Sequence, residues 1–149
     1  MTYPERAVNA CVAAMEKEKV SGTQVQAVLK YEDVDVSKIE PFLSSENYQV
    51  RRFVIQIVGR KGNPEKLVAR AKIEKDKELL KLILSELGKG GFKEVEGLAF
   101  LLRADSQEVR EAAIQMFRKA DADELFPFLF DKNDETVARV KRYIHEQEE

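Results

Sequence analysis

Few of the residue types that build active sites and metal centres occur in this chain. Its 149 residues include one cysteine, one histidine and no tryptophan. A lone Cys11 excludes an internal disulfide and a cysteine metal cluster, and its apolar neighbours Val8 and Val12 indicate a small core residue. A lone His145 is too little for a histidine metal site or a catalytic triad. The sequence therefore predicts no enzyme activity, no cofactor and no metal.

Long apolar runs and a strong net charge are absent as well. No stretch approaches the roughly eighteen apolar residues that a membrane-spanning helix needs, and residues 1–6 show no basic segment leading into an apolar one. The formal net charge is −2, with 44% hydrophobic and 35% charged residues, which is typical of a folded, soluble chain. We therefore expect one cytoplasmic domain, residues 1–149, without a membrane partner.

What the chain does contain is an internal repeat. Apolar residues recur at steps of three and four in four segments, whose leading residues Val50, Leu79, Val109 and Val137 are spaced by 29, 30 and 28 residues. Each segment follows, at a fixed offset, a second apolar group; these groups begin at Ile39, Val68, Leu98 and Phe126. Steps of three and four match the helical period, so the repeat is a helix pair. The sustained two-residue alternation of a strand does not occur.

Local start and stop signals agree with helix pairs. Capping boxes fit at Ser21 with Gln24, at Ser37 with Glu40 and at Asp121 with Glu124, and Asn63 precedes a proline at a first helical position. Glycines stand where second helices lose their apolar period and a left-handed residue would close the helix. These glycines are Gly59, Gly62, Gly88, Gly90 and Gly91.

The signals predict helix pairs over residues 35–62, 63–91, 92–120 and 121–147. An atypical pair over residues 1–34, with helices near residues 4–19 and 22–31, precedes them and would shield one end of a stack. One pair cannot bury both apolar stripes, whereas stacked neighbours can, at ~1.5 to 3 kcal/mol for each large apolar side chain. We expect alanine to destabilise most at Leu82, Leu98 and Ile114.

A turn followed by Val-Arg occurs twice, at Val50-Arg51 and at Val109-Arg110. The second copy lies in the segment Leu102-Arg-Ala-Asp105-Ser-Gln-Glu-Val109-Arg110-Glu-Ala112-Ala113. These segments resemble HEAT-like repeats of the short, PBS-lyase type. The resemblance covers about residues 35–147 and departs from the family pattern at Leu79-Leu80 and Val137-Ala138, where the family often has Val-Arg.

The resemblance implies an all-α fold, a right-handed α-α superhelix of about five helix pairs whose second helices line the concave side. Its function would be that of a non-catalytic adaptor or scaffold that binds another protein. Two enzyme classes built on similar repeats do not fit. The deoxyhypusine hydroxylases hold iron with several His-Glu pairs, whereas this chain has only His145-Glu146. The alkylpurine DNA glycosylases of this shape use tryptophans, which are absent here.

The charges divide along the chain, and local fields rather than the total steer partners. Residues 1–40 carry a net charge of −2, residues 41–93 one of +6 and residues 94–149 one of −6. Cations of the basic middle fall between the apolar positions of second helices, where they would face outward on the concave side. The predicted partner-binding residues are Arg51, Arg52, Arg60, Lys77, Lys81, Lys89, Glu111 and Arg139.

This basic face has three interpretations. It is a solvated helix surface, a site for an acidic protein partner, or a site for the phosphate backbone of nucleic acid. We take a protein partner as the leading hypothesis and nucleic acid as the alternative. An exposed end of a stack can also pair with a copy of itself, so the sequence is compatible with a monomer or a weak homodimer.

Overall fold

A computed structural model describes residues 1–92 and 94–117, with the backbone alone at Glu96. Every regular element in these residues is a helix, which confirms the predicted all-α class. The elements are α1 (Tyr3–Glu16), α2 (Gly22–Leu29), the 3-10 helix η1 (Glu40–Ser44), α3 (Tyr48–Lys61), α4 (Pro64–Ala71), α5 (Lys77–Lys89), the 3-10 helix η2 (Val95–Arg103) and α6 (Gln107–Phe117). The predicted pair over residues 121–147, with its Asp121–Glu124 capping box and Arg139, lies outside the described residues.

The chain divides into two compact units, Met1–Glu74 and Lys75–Glu149. Unit 1 holds α1 to α4 with η1, and the described part of unit 2 holds α5, η2 and α6. The boundary falls between α4 and α5, inside the predicted repeat of residues 63–91. Each unit is therefore described by itself.

The first two helices form where the sequence predicts them. Helix α1 begins with a reciprocal capping box, in which the backbone N–H of Glu5 donates to Thr2 Oγ1 at 3.3 Å and that of Thr2 donates to Glu5 Oε2 at 3.2 Å. Helix α2 begins where the Ser21 N–H donates to Gln24 Oε1 at 2.9 Å, as the predicted capping box requires. Buried residues of α1 recur at steps of three and four, and Cys11 among them is fully buried, which confirms its predicted core position.

All three described second helices begin in the same way. A capping side chain accepts a hydrogen bond from the N–H of the apolar residue that leads the repeat, three positions later. The bonds run from Val50 to Asn47 at 3.0 Å, from Leu79 to Asp76 at 3.1 Å and from Val109 to Ser106 at 3.4 Å. The leading residues are buried as well, so the sequence repeat corresponds to a repeat in local structure.

The two Val-Arg turns are also alike. Arg51 donates from Nη1 to the carbonyl oxygens six and five residues earlier, at 2.9 and 3.3 Å. Arg110 donates from Nη1 to carbonyl oxygens at the same two offsets, at 2.5 and 3.1 Å. These oxygens follow η1 and η2, where the chain turns and helical partners end. Each arginine thus donates hydrogen bonds to the carbonyl groups of the turn that joins a first helix to a second helix.

Two of the predicted first helices are 3-10 helices. Helix η2 buries Val95, Leu98, Leu101 and Leu102. These residues recur at steps of three and four, as in α4, so their spacing does not account for the 3-10 winding of η2. Helix η1 is five residues long and includes Pro41 in its first turn.

Some predicted helix ends are wrong. Ser37 does not cap a helix, because its N–H donates to Asp35 Oδ1 at 2.9 Å within a turn, and η1 starts only at Glu40. That bond, followed by the Ser37 hydroxyl, holds the pKa of Asp35 below its usual value. Asn63 does cap α4, by accepting from the Glu65 N–H at 3.0 Å.

The predicted left-handed glycine after a second helix is confirmed at Gly91, which follows α5, and is wrong at the other glycines. Helix α3 continues through Gly59 and α5 through Gly88, and Gly62 closes α3 in an extended conformation with φ of −104°. Of the glycines in the described residues, Gly91 alone has a positive φ, 72°. The left-handed residue after α1 is Glu18 and not a glycine.

Burial agrees with one of the three positions at which alanine is expected to destabilise most. Leu98 is fully buried, whereas Leu82 and Ile114 are only half-buried. Ile83, the next residue along α5, is buried instead, as are Val54 and Ala113 at the same position of the other two second helices. None of the helices in residues 1–92 and 94–117 is both long and apolar enough to cross a membrane.

Candidate partner-binding surfaces

Helix α3 of unit 1 presents a basic row to solvent. Tyr48, Arg52, Gln56 and Arg60 are spaced by four residues, which places them along one side of the helix. Arg52 and Arg60 are exposed and Tyr48 is 40% exposed. We call these four residues the α3 row. Helix α3 contains four cations and no carboxylate.

Arg52 is the best-defined cation of the α3 row. Its guanidinium lies 5.8 Å from the centre of the Phe53 ring, at a distance compatible with a cation–π contact. Within the part of the chain that the structure describes, Arg52 forms no salt bridge. An arginine that is exposed and unneutralised can bind a partner carboxylate without first breaking an internal ion pair.

Arg51, the neighbouring residue, is held inside unit 1. Its Nε lies 3.1 Å from Glu74 Oε1, and Arg70 binds the same oxygen through Nε and Nη2 at 3.2 Å. The Glu74 side chain is 2% exposed and that of Arg51 16%. Because the guanidinium of Arg51 also holds the turn before α3, we do not include it in the proposed surface.

The cations of α5 in unit 2 differ from the α3 row because acidic residues face them. Lys81 Nζ lies 2.7 Å from Glu108 Oε2 and 3.4 Å from Glu78 Oε2, and Lys77 Nζ lies 3.6 Å from Glu108 Oε1. Glu108 belongs to α6, so these pairs join the two second helices of the unit. Glu111 is exposed on the same helix.

The titration of this cluster reflects the pairing. The hydrogen bond to Glu108 is the main cause that raises the pKa of Lys81. The same bond, followed by the charge of Lys77, lowers the pKa of Glu108. Both groups therefore stay charged over a wider pH range, and much of the predicted positive potential of α5 is compensated in place.

A cleft of about 430 Å³ lies between α5 and α6. Its apolar lining comes from Leu84 and Gly88 on α5 and from Ala112 and Met116 on α6. Lys81 and Lys89 of α5 line the polar side of the cleft. Lys89 is 64% exposed and lies 3.9 Å from the buried Glu86, which is near the outer limit for a salt bridge. We call this feature the α5–α6 cleft.

Sequence reasoning missed the acidic partners, Glu74 and Glu108. Glu74 is 23 residues from Arg51, and no local pattern links the two positions. Glu108 could have been found from the repeat. It occupies the position of Glu78 one repeat later, and Glu78 lies one turn from Lys81 on the same helix. Arg139, the last predicted partner-binding residue, lies outside the described residues.

Groups suited to covalent or metal chemistry are few in the described residues. No cluster of three or more His, Cys, Asp or Glu side chains in residues 1–92 and 94–117 is placed to hold a metal ion. Burial raises the pKa of the Cys11 thiol to about 11, so it is protonated at neutral pH. A protonated, buried thiol is a poor nucleophile.

The fold and the surfaces together define an all-α protein with helix pairs that repeat in local structure. Comparison of the chain with protein-family models, with curated proteins and with solved structures found no match. The HEAT-like resemblance therefore stays a prediction from the residues.

Proposed function

We propose that this protein is a non-catalytic adaptor or scaffold module that binds an acidic surface of a partner protein through the α3 row. The observation that carries the proposal is a helix of 14 residues without a carboxylate that exposes Arg52 and Arg60. At a rise of ~1.5 Å per residue, these two arginines stand about 12 Å apart along the helix axis. Two partner carboxylates two helical turns apart would match them.

A protein fits the α3 row better than nucleic acid does. Arg and Tyr are the residues most often found to dominate protein interfaces, and the row holds both within one turn, as Tyr48 and Arg52. Two arginines would contact few phosphates, whereas tight binding to nucleic acid usually neutralises many. A right-handed superhelix of HEAT-like pairs belongs to the same proposal, and the shared caps and Val-Arg turns of the repeats support it.

The test is reversal of charge in the α3 row. In affinity purification from the cells that make the protein, we expect Arg52→Glu with Arg60→Glu to remove partners that the unmodified chain retains. Titration of a recovered partner should then show affinity lower by about thirtyfold or more, since an interface hot spot is worth roughly 2 kcal/mol or more.

The matched control reverses two exposed cations in and directly after α4 of the same unit, Lys66→Glu with Lys72→Glu. It changes the net charge equally and leaves the α3 row intact. The proposal is wrong if the double variant of α3 keeps every partner, or if the α4 control loses the same partners. Circular dichroism must show that both variants keep their helix content.

Nucleic acid is the second candidate, and Tyr48 is the observation that favours it. An exposed aromatic ring beside arginines can stack on an unpaired base while the cations contact phosphates. This function predicts that a single-stranded oligonucleotide binds at about 50 mM salt and is largely released at about 200 mM. Fluorescence anisotropy measures both conditions, and absence of binding at the lower salt excludes it.

A further inference from the structure

One aligned position of the three described second helices varies strongly in side-chain size. Three residues after the leading apolar residue, α3 has Phe53, α5 has Leu82 and α6 has Ala112. Ala112 lines the α5–α6 cleft, as does Gly88 on α5. The cleft therefore lies where the third repeat has a small side chain and the first two have a large one.

The chemistry of the cleft is apolar at its base and basic at its edge. Leu84 and Met116 are buried side chains of the lining, and methionine adapts readily to varied apolar groups. Its lining residues include two lysines and no carboxylate. Lys81 is bound to Glu108 at 2.7 Å, and Lys89 is 3.9 Å from Glu86 and 64% exposed, so Lys89 is the more accessible cation for an incoming carboxylate.

We propose that the α5–α6 cleft binds one large apolar side chain of an acidic segment in a partner protein, with the side chain seated against Ala112 and Met116 and a flanking carboxylate beside Lys89. The volume of about 430 Å³ lies toward the lower end of the range for ligand pockets, and it has room for one anchoring side chain with part of its backbone. The inference rests on the proposed function only in that the partner is a protein. Its surface belongs to unit 2, whereas the α3 row belongs to unit 1.

The chain offers a direct probe of the cleft, because it has three methionines. Met116 lines the cleft, Met15 is buried in α1 and Met1 is exposed, so ¹³C-methyl labelling of methionine yields one reporter and two internal references. The probe is a synthetic peptide with one phenylalanine between two pairs of glutamates. The full chain is titrated with this peptide, with its Phe-to-Ala counterpart and with a version that carries lysines in place of glutamates.

We expect the glutamate–phenylalanine peptide to shift the Met116 signal and to leave Met15 in place. The alanine counterpart should bind about 10- to 100-fold more weakly, as expected for loss of one buried aromatic side chain. The lysine version should also bind more weakly. Ala112→Phe, which gives α6 the residue of α3 at this position, should abolish the shift, and Lys89→Glu should weaken it.

Three results with the peptides would overturn the inference: no movement of Met116 at millimolar peptide, equal movement with the alanine or lysine version, or a shift that persists in Ala112→Phe. A Met116 shift caused by a short oligothymidylate in place of the peptide would also overturn it and assign the cleft to nucleic acid. If Ala112→Phe unfolds the protein, Ala112→Leu, which gives α6 the residue of α5 at this position, replaces it. The comparison of the three peptides tests the inference without either variant. Arg52→Glu with Arg60→Glu should leave the Met116 titration unchanged, which separates this inference from the proposed function.

Discussion

The buried carboxylate of Glu74 shows how one residue decides the role of its neighbours. It binds Arg51 of α3 and Arg70 of α4, so it ties two helices of unit 1 together. Arg51 and Arg52 are adjacent in sequence, yet one is a structural residue and the other faces solvent. The difference arises because a helix turns by about 100° per residue and only one of the two side chains can reach Glu74.

This role predicts the effect of a neutral replacement at Glu74. Glu74→Gln keeps the size of the side chain and removes its charge, which leaves two partly buried guanidinium groups without a counterion. We expect a loss of about 3 kcal/mol in the free energy of unfolding of unit 1, as for other broken buried ion pairs. Urea denaturation measures it.

The control for Glu74 is Glu32→Gln, an equal change of charge at an exposed position of the same unit. It should alter stability by no more than about 0.5 kcal/mol. Equal stability of the two variants would show that the Glu74 cluster contributes little to the fold.

At the scale of single elements, the apolar spacing predicts a helix but not its winding. Helix η2 buries Val95, Leu98, Leu101 and Leu102 and is a 3-10 helix, whereas α4 buries Leu67, Val68 and Ala71 and is an α-helix. Steps of three and four occur in both elements, so the sequence pattern does not distinguish them.

Burial within the elements predicts which alanine substitutions cost most. Leu98→Ala in η2 empties a fully buried position and should cost about 2 to 5 kcal/mol. Leu82→Ala removes the same atoms from a half-buried position of the same unit and should cost clearly less. Chemical denaturation of both variants compares them, and an equal or larger loss at Leu82 would contradict the difference in burial between the two side chains.

At the scale of the whole molecule, two compact units raise the question of cooperative unfolding. Each unit has buried side chains of its own, and such bodies often unfold separately. The lone cysteine belongs to unit 1, where burial shields it and raises its pKa to about 11. Its reaction with a thiol reagent therefore reports the opening of unit 1 alone.

We predict that Leu98→Ala in unit 2 leaves the labelling rate of Cys11 close to that of the unmodified chain. Ile57→Ala, at a fully buried position of α3, should raise that rate by about tenfold or more. Mass spectrometry after timed labelling at about pH 8 measures both. If Leu98→Ala exposes Cys11 as much as Ile57→Ala does, the two units unfold together.

The sequence alone determined the features that depend on near neighbours along the chain. The helical class, the leading residues Val50, Leu79 and Val109, the cap at Asn63 and the core position of Cys11 all follow from periodicity and capping chemistry, which act over a few residues. The charge division was also visible. These features could be predicted because a helix satisfies its backbone and its apolar face locally.

Tertiary structure decided which of the predicted cations are available to a partner. Glu74 holds the side chain of Arg51, and Glu108 holds that of Lys81. Each carboxylate lies more than twenty positions from its cation in the sequence. The hollow beside Ala112 likewise exists only once α5 and α6 lie side by side. Charge pairing and cavity shape depend on which distant residues meet in space, and the spacing of residues along a chain does not specify that.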